Sequence, residues 1–251
     1  MTDFVDAQSQ IQAVIVEPRE HEGLLPVLEN MCSKLPQVPI TIVHGTKNGN
    51  YAREQAKKCP CVNNIFEANA ENFDAATYSK LMTSNSFWDA MGDREKTLVF
   101  QTDSGICGEG EAISLFVEYD YCGAPWKWAI GEDKPLVGNG GFSLRNTEIF
   151  RKHVKYDPEH TLNEDLKFAD WCKEDPDCKL CPNNIGRKFA TETMDNADSW
   201  GFHNNIKFTG KPICEFNELI HNLNKQSKGL GNPPDPETYE PSVKFIASFD
   251  H

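Results

Sequence analysis

A chain of 251 residues with 39% hydrophobic and 25% charged residues, mixed and without internal repeats, has the composition of one globular domain with a sizeable core, which excludes fibrous and disordered classes. The formal charge of −13, from 25 Lys and Arg against 38 Asp and Glu, argues against a nucleic-acid surface, because phosphate binding relies on clustered cations. No apolar run approaches the roughly 20 residues that cross a bilayer, and the opening MTDFVDAQSQ lacks the basic-then-apolar order of a secretion signal, so a cytoplasmic protein is expected.

The first apolar block, IQAVIVEP, reads as a strand stopped by Pro18, and EHEGLLPVLENMCSKL as a helix despite its internal Pro26. PITIVHG is a second strand closed by Gly45. Strand, helix, strand at this spacing points to a βαβ unit and a parallel sheet covered by helices. In FDAATYSKLMTSNSFWDAMGDREK, Tyr78, Leu81, Met82, Phe87, Trp88 and Met91 recur every three or four residues, the inner face of a helix or a broken helix pair. That segment feeds TLVFQTDSG, a buried strand that ends at Asp103, the position where open α/β sheets bind ligands.

Further along, GEGEAISLFVEYDYCGAPW should hold a short helix and a short strand, and GNGGFSLRN a glycine-rich turn running into a strand. TLNEDLKFADWC reads as an amphipathic helix with Leu162, Leu166, Phe168, Ala169 and Trp171 at its apolar positions. Residues 225–251, rich in Pro, Gly and charge, are expected to form a C-terminal extension that wraps the surface or is partly mobile, beyond a domain spanning residues 1–224.

Nine cysteines in a chain read as cytoplasmic are expected to be reduced, many of them packed as small hydrophobes. The cluster WCKEDPDCKLCPNN brings Cys172, Cys178 and Cys181 together, the last two at C-x2-C spacing. A structural zinc site there would need Cys214 or a histidine as its fourth ligand, and no second C-x2-C pair supplies one.

No G-x-G-x-x-G follows the first strand, and neither a G-x-x-x-x-G-K-[ST] loop nor a G-x-S-x-G elbow occurs, which speaks against dehydrogenases, P-loop enzymes and α/β-hydrolases. What remains is a set of polar residues after strands. Hard divalent cations favour oxygen ligands, often one or two carboxylates plus substrate phosphates, and Mn²⁺ also accepts imidazole. Asp103 with His203 fits that chemistry, although either residue alone would pass as a turn aspartate or a hydrogen-bonded surface histidine.

The blocks TYSKLMTSNSFWDAMGDREKTLVFQTDS, YDYCGAPW, GNGGFSLRN, NEDLKFADW and WGFHNN, spanning roughly residues 72 to 207, resemble in the same order those of a poorly characterised family of glycosyltransferase-like domains. That family is similar to the GT-A fold nucleotide-sugar transferases. The resemblance implies an α/β fold: a single GT-A-like domain with a mixed, mostly parallel central sheet flanked by helices. It also implies transfer of a sugar from a nucleoside-diphosphate-sugar donor to a hydroxyl acceptor on a glycan or protein, with Mn²⁺ or Mg²⁺ as cofactor.

In such enzymes a D-x-D motif after a central strand holds the metal, and a histidine near the C-terminus completes the site. Asp103 resembles the last aspartate and His203 the histidine, as metal ligands. The first acidic position is Gln101, so the motif is reduced to QTD. The resemblance extends donor contacts to Lys80, Gln101, Thr102, Ser104 and Lys207. Gly138, Gly140 and Gly141 would let backbone amides approach an acceptor sugar, and Trp126 and Trp128 would stack on it. NED resembles the acidic pair of inverting enzymes, with Asp165 as candidate base and Glu164 as runner-up, the rival being an acid that merely stabilises a helix N-terminus. Inversion is preferred on this motif alone. Two other readings stand beside the transferase: a nucleotide-sugar or carbohydrate-binding module that lost the chemistry, and a nucleotidyltransferase.

Overall fold

The computed structural model describes residues 3–129, 137–156, 163–226 and 231–249. In chain order these form α1 (Phe4–Ser9), β1 (Ile11–Glu17), α2 (Leu24–Lys34), β2 (Ile40–His44), α3 (Gly49–Ala56), β3 (Val62–Ala68), α4 (Ala75–Met82), α5 (Asn85–Ala90), β4 (Lys96–Phe100) and β5 (Ser104–Ile106). There follow β6 (Tyr121–Gly123), β7 (Phe142–Asn146), α6 (Thr147–Tyr156), α7 (Glu164–Glu174), α8 (Asn183–Phe189), β8 (Ala190–Thr191), β9 (Gly201–His203), α9 (Asn205–Thr209), α10 (Glu215–Asn224) and β10 (Val243–Ser248).

The expected mixed, mostly parallel central sheet flanked by helices is observed. Seven strands run in the order β10-β3-β2-β1-β4-β7-β6. The inner four, β3, β2, β1 and β4, are parallel, and β7 and β10 pair antiparallel to their neighbours. β1 and β4 lie at the centre and are buried along their whole length, which explains their unbroken apolar runs. Pro26 falls in the first turn of α2, where no backbone donor is lost to the helix ladder. The helix pair expected over residues 73–96 breaks where Ser84 caps α5 by accepting from the Phe87 amide, while Asp74 and Thr77 form a reciprocal capping box at the start of α4. Its apolar stripe packs on one sheet face: Leu81, Met82, Phe87, Trp88 and Met91 are buried with Phe150 and Phe168.

Beyond residue 224 the chain does more than wrap the surface: β10 joins the main sheet at its edge, antiparallel to β3 with Val243 opposite Ala68. Residue Leu162 of the amphipathic helix lies outside the described residues, and α7 begins at Glu164.

The cysteines overturn the expectation of reduced thiols. Cys32 bonds to Cys61, Cys107 to Cys214 and Cys172 to Cys178, leaving Cys59, Cys122 and Cys181 as buried free thiols. Three of the four cysteines considered for zinc are therefore consumed by two of these bridges, and the half motif is not a metal site. The Cys107–Cys214 bridge spans 107 residues and ties the end of β5 to the start of α10. Closing a loop of that length stabilises a fold by about 4–5 kcal/mol, so reduction should lower the melting temperature by about 10 °C or more. Thermal denaturation with and without dithiothreitol checks this, and an unchanged transition would count against the bridges.

Candidate functional site

The carboxyl ends of β1 and β4 lie side by side, Ile15 opposite Phe100, and open into a cavity of about 520 Å³. Just past β1, Arg19 forms a two-bonded pair with the buried Glu17, with nitrogen-to-oxygen distances of 2.7 Å on both arms. Thr102 joins them by donating its hydroxyl to Glu17 Oε2 at 3.0 Å. The turn after β4 is closed by Ser104, whose Oγ accepts from the Gln101 amide and donates to the Gln101 carbonyl, both at 2.9 Å. Ser104 is fully buried in that turn and does not line the cavity, whereas Gln101, Thr102 and Asp103 do.

A second, three-stranded sheet explains how Asp103 meets a residue 100 positions later. β5 pairs antiparallel to β9 with Ser104 opposite His203, and the Asn204 amide donates to the Asp103 carbonyl at 2.9 Å. His203 Nε2 lies 3.3 Å from Asp103 Oδ1 and 3.1 Å from Gln101 Oε1. Its other nitrogen, Nδ1, lies 3.3 Å from Glu192 Oε1. Burial works against a charge on His203, but the carboxylates of Asp103 and Glu192 prevail and push its pKa up to about 10. Burial likewise opposes ionisation of Asp103, and the His203 cation overrides it, holding the carboxyl below its usual range. The imidazole thus stands between the two acids, each 3.3 Å from one ring nitrogen.

A six-coordinate cation with ligands at about 2.1 Å holds neighbouring ligand atoms about 3 Å apart. The spacing of Gln101 Oε1 and Asp103 Oδ1 around His203 Nε2 is of that size, so these donor atoms fit a Mn²⁺ or Mg²⁺ ion. No group of three or more His, Cys, Asp or Glu that could hold a metal occurs among the described residues. Asp103, His203 and the Gln101 side-chain oxygen are the groups that would hold such an ion, with water or substrate phosphate completing its coordination.

On the opposite wall, β7 pairs antiparallel to β4, Phe142 opposite Phe100, which brings the preceding glycine turn beside Gln101 and Asp103. Gly138 has φ +145°, and a Cβ there would sit 2.5 Å from the Tyr121 ring. A Cβ on Gly141 would lie 2.2 Å from His203 Nε2. Gly141→Ala is expected to drive the imidazole from Asp103 while far-ultraviolet circular dichroism stays unchanged; unaltered His203 ring resonances by NMR would contradict the packing.

Asp165 and Glu164 open α7 directly under this turn. Asp165 Oδ2 accepts from the Gly140 amide at 3.3 Å, and Oδ1 from the Leu166 amide at 2.8 Å. Burial and then the charge of Glu164 raise the Asp165 pKa to about 7, the two amide bonds offsetting part of the rise. A carboxyl whose environment were dominated by the helix dipole would be shifted the other way. Glu164 is instead tied to Arg145, fully buried, whose Nη2 lies 3.2 Å from Glu164 Oε1 and whose guanidinium carbon stands 4.7 Å from the Phe168 ring centroid. The two acids thus differ: both line the cavity, but Glu164 is paired with a buried cation and Asp165 is not.

Besides Ser104 and Gly138, four expected contacts are not brought to the cavity. Lys80 does not line it, because Tyr78 and Ser79 present that side of α4 and the next residue turns away by roughly 100°. Lys207 is exposed, its ammonium 5.5 Å from the Phe208 ring, after Asn204 turns the chain with a left-handed φ of 45°. Trp126 and Trp128 stack on each other with centroids 5.7 Å apart; Trp126 is buried and Trp128 is 59% exposed, and neither lines the cavity. Conversely, Arg19, Glu17, Arg145 and Glu192 escaped the sequence reading. Arg145 alternates with Phe142 and Leu144 in a buried strand, a signal that its charge needs a partner; ATETMD around Glu192 carries no such signal.

The family model of DUF5672, described as a protein of unknown function, matches residues 63–203, more than half of the chain, and the chain belongs to that family. No match was found among curated proteins. Among solved structures, the chain is similar to a 4-diphosphocytidyl-2C-methyl-D-erythritol synthase from Anaerococcus prevotii, with 11% identity, a TM-score of 0.51 and coverage of 88% of this chain and 97% of that one. It also matches galactosyltransferase LgtC in complex with donor and acceptor sugar analogs, at 9% identity, a TM-score of 0.48 and coverage of 88% and 98%. The glycosyltransferase GlyE of Streptococcus pneumoniae matches at 10% identity, a TM-score of 0.48 and coverage of 84% and 59%. At these identities the likeness to the synthase concerns the fold alone, and nothing further rests on the other two.

Proposed function

We propose that this protein is a metal-assisted glycosyltransferase that moves a sugar from a nucleoside-diphosphate-sugar to a hydroxyl acceptor, with inversion at the anomeric carbon. The observation that carries this reading is the meeting of Asp103 and His203 at 3.3 Å in a cavity that also receives Asp165. The acceptor oxygen bonds to the anomeric carbon as the bond from that carbon to the donor phosphate oxygen breaks, and the acceptor proton passes to Asp165. The nucleoside diphosphate leaves. A Mn²⁺ or Mg²⁺ held by Asp103 and His203, with Gln101, would supply positive charge to the departing diphosphate.

Electrostatics supports the need for that charge. Six acids line the cavity (Glu17, Asp74, Asp103, Glu164, Asp165 and Glu192); with Glu17 paired to Arg19 and Glu164 to Arg145, Asp74, Asp103 and Glu192 still stand against the one remaining cation, His203. A diphosphate entering such a site unaccompanied would meet net repulsion. Arg19 is aligned by Glu17 at the mouth of β1 and is the lining guanidinium available to a phosphate or ribose.

Calorimetry with a panel of nucleotide sugars, with and without Mn²⁺, followed by a donor hydrolysis assay, tests the reading. A crystal soaked with uridine and guanosine diphosphates plus Mn²⁺ would identify the nucleotide, and the product anomer by NMR decides inversion. Gln101 in place of an acidic residue favours the binding module, which predicts binding without turnover. A nucleotidyltransferase, the other alternative, would consume a nucleoside triphosphate and release pyrophosphate. No helix among the described residues is long and apolar enough to cross a membrane. Three disulfides favour an oxidising compartment over the cytoplasm expected from the N-terminal sequence.

A further inference from the structure

Glu192 is 7% exposed and lines the cavity, yet among the described residues its Oε2 has no hydrogen-bond partner, and the same holds for His203 Nδ1, 3.3 Å from Oε1. The fold brings the two together: β8 runs parallel to β9 with Thr191 opposite Phe202, so the next residue on each strand comes alongside the other. A buried carboxylate is costly without a partner, and the imidazole edge is the group it faces. On the other edge, Nε2 faces Asp103 Oδ1 and Gln101 Oε1.

We infer that Glu192 is a positioning residue for the metal site, holding the His203 ring through Nδ1 so that the Nε2 lone pair is turned toward the cation bound by Asp103. The inference rests on the proposed metal-assisted reading. Its physical basis is general: a ligating histidine whose second nitrogen donates to a carboxylate is fixed in one tautomer and orientation and becomes a more basic ligand. Removing such a carboxylate typically weakens metal binding about 10- to 100-fold. Glu192 does not itself need to reach the ion.

The test is Mn²⁺ titration followed by electron paramagnetic resonance of the free ion, on the full chain and on Glu192→Ala and Glu192→Gln, each with Mn²⁺ alone and with Mn²⁺ plus uridine or guanosine diphosphate. Glu192→Ala is expected to weaken Mn²⁺ binding by about 10-fold or more, whereas Glu192→Gln, which keeps an oxygen acceptor for Nδ1–H, should recover most of it. Thermal denaturation runs alongside, since a merely structural role would lower the melting temperature without moving the titration of the folded protein. Equal Mn²⁺ affinity in Glu192→Ala and the parent would overturn the positioning role and leave the metal-assisted reading standing. A parent chain that binds no Mn²⁺ in any of the three arms would overturn both.

Discussion

Asp103→Ala is expected to abolish Mn²⁺-dependent donor turnover, lowering kcat by on the order of a thousandfold, the equivalent of about 4 kcal/mol of lost charge stabilisation on the leaving group. The substitution should leave the fold intact. Asp103's structural bond is made by its backbone carbonyl to the Asn204 amide, and alanine keeps that carbonyl. The side chain, at 26% exposure, is paired with His203. On the proposed metal-assisted reading, removing it takes away one of the two strong ligands, while Glu192 stays beside the Nδ1 edge of the imidazole. Mn²⁺ dependence measured on the variant, together with its circular dichroism, decides the matter: a folded variant with undiminished Mn²⁺-stimulated hydrolysis would sink the assignment.

The centre of the architecture was legible in the sequence because it obeys local rules. IQAVIVE, ITIVH and KTLVF are buried runs, and buried parallel strands have no polar face to interrupt them. β3 was harder: VNNIFEA carries two asparagines and a glutamate on a strand with half-buried and exposed positions, which erases both the run and the alternation. β9 is only three residues long, too short for any period, and is held in place by β5. β10 hides behind a proline- and glycine-rich approach, and only its pairing with β3 makes it a strand.

The site divides along the same line. Asp103 could be singled out because it ends a recognisable buried run, whereas the glycine turn, Asp165 and His203 took their roles from the resemblance carried by GNGGFSLRN, NEDLKFADW and WGFHNN. Glu192 and Arg145 could not, since their meaning lies in partners far along the chain: His203 through β8–β9 pairing, and Glu164 through the packing of α7 on β7. The disulfides show the same limit. Cys107 and Cys214 are joined by the docking of α10 on β5, and no spacing rule connects them. The expectation of reduced thiols fails for the same reason, because the packing pairs six of the nine cysteines.

Asp165→Asn should lower kcat by about 10²- to 10⁴-fold, the usual worth of a positioned base, with little change in the KM for the donor. The pH profile carries the sharper distinction. A base must be deprotonated to act, so with Asp165 near pKa 7 the parent's rate should rise about tenfold per pH unit below 7 and level off above it. The side-chain amide of the Asp165→Asn variant does not titrate in this range, and that limb should vanish. Glu164→Gln separates the two carboxylates. After burial, the Glu164 charge is the next cause of the raised Asp165 pKa, so neutralising it should move the limb to lower pH rather than remove it. It should also cost stability, because Arg145, fully buried, loses its charged partner, and breaking a buried pair of this kind costs about 3–5 kcal/mol. If Glu164→Gln instead erased the limb while Asp165→Asn merely shifted it, the roles of base and neighbour would have to be exchanged, with Arg145 holding the base ready and Asp165 tuning it.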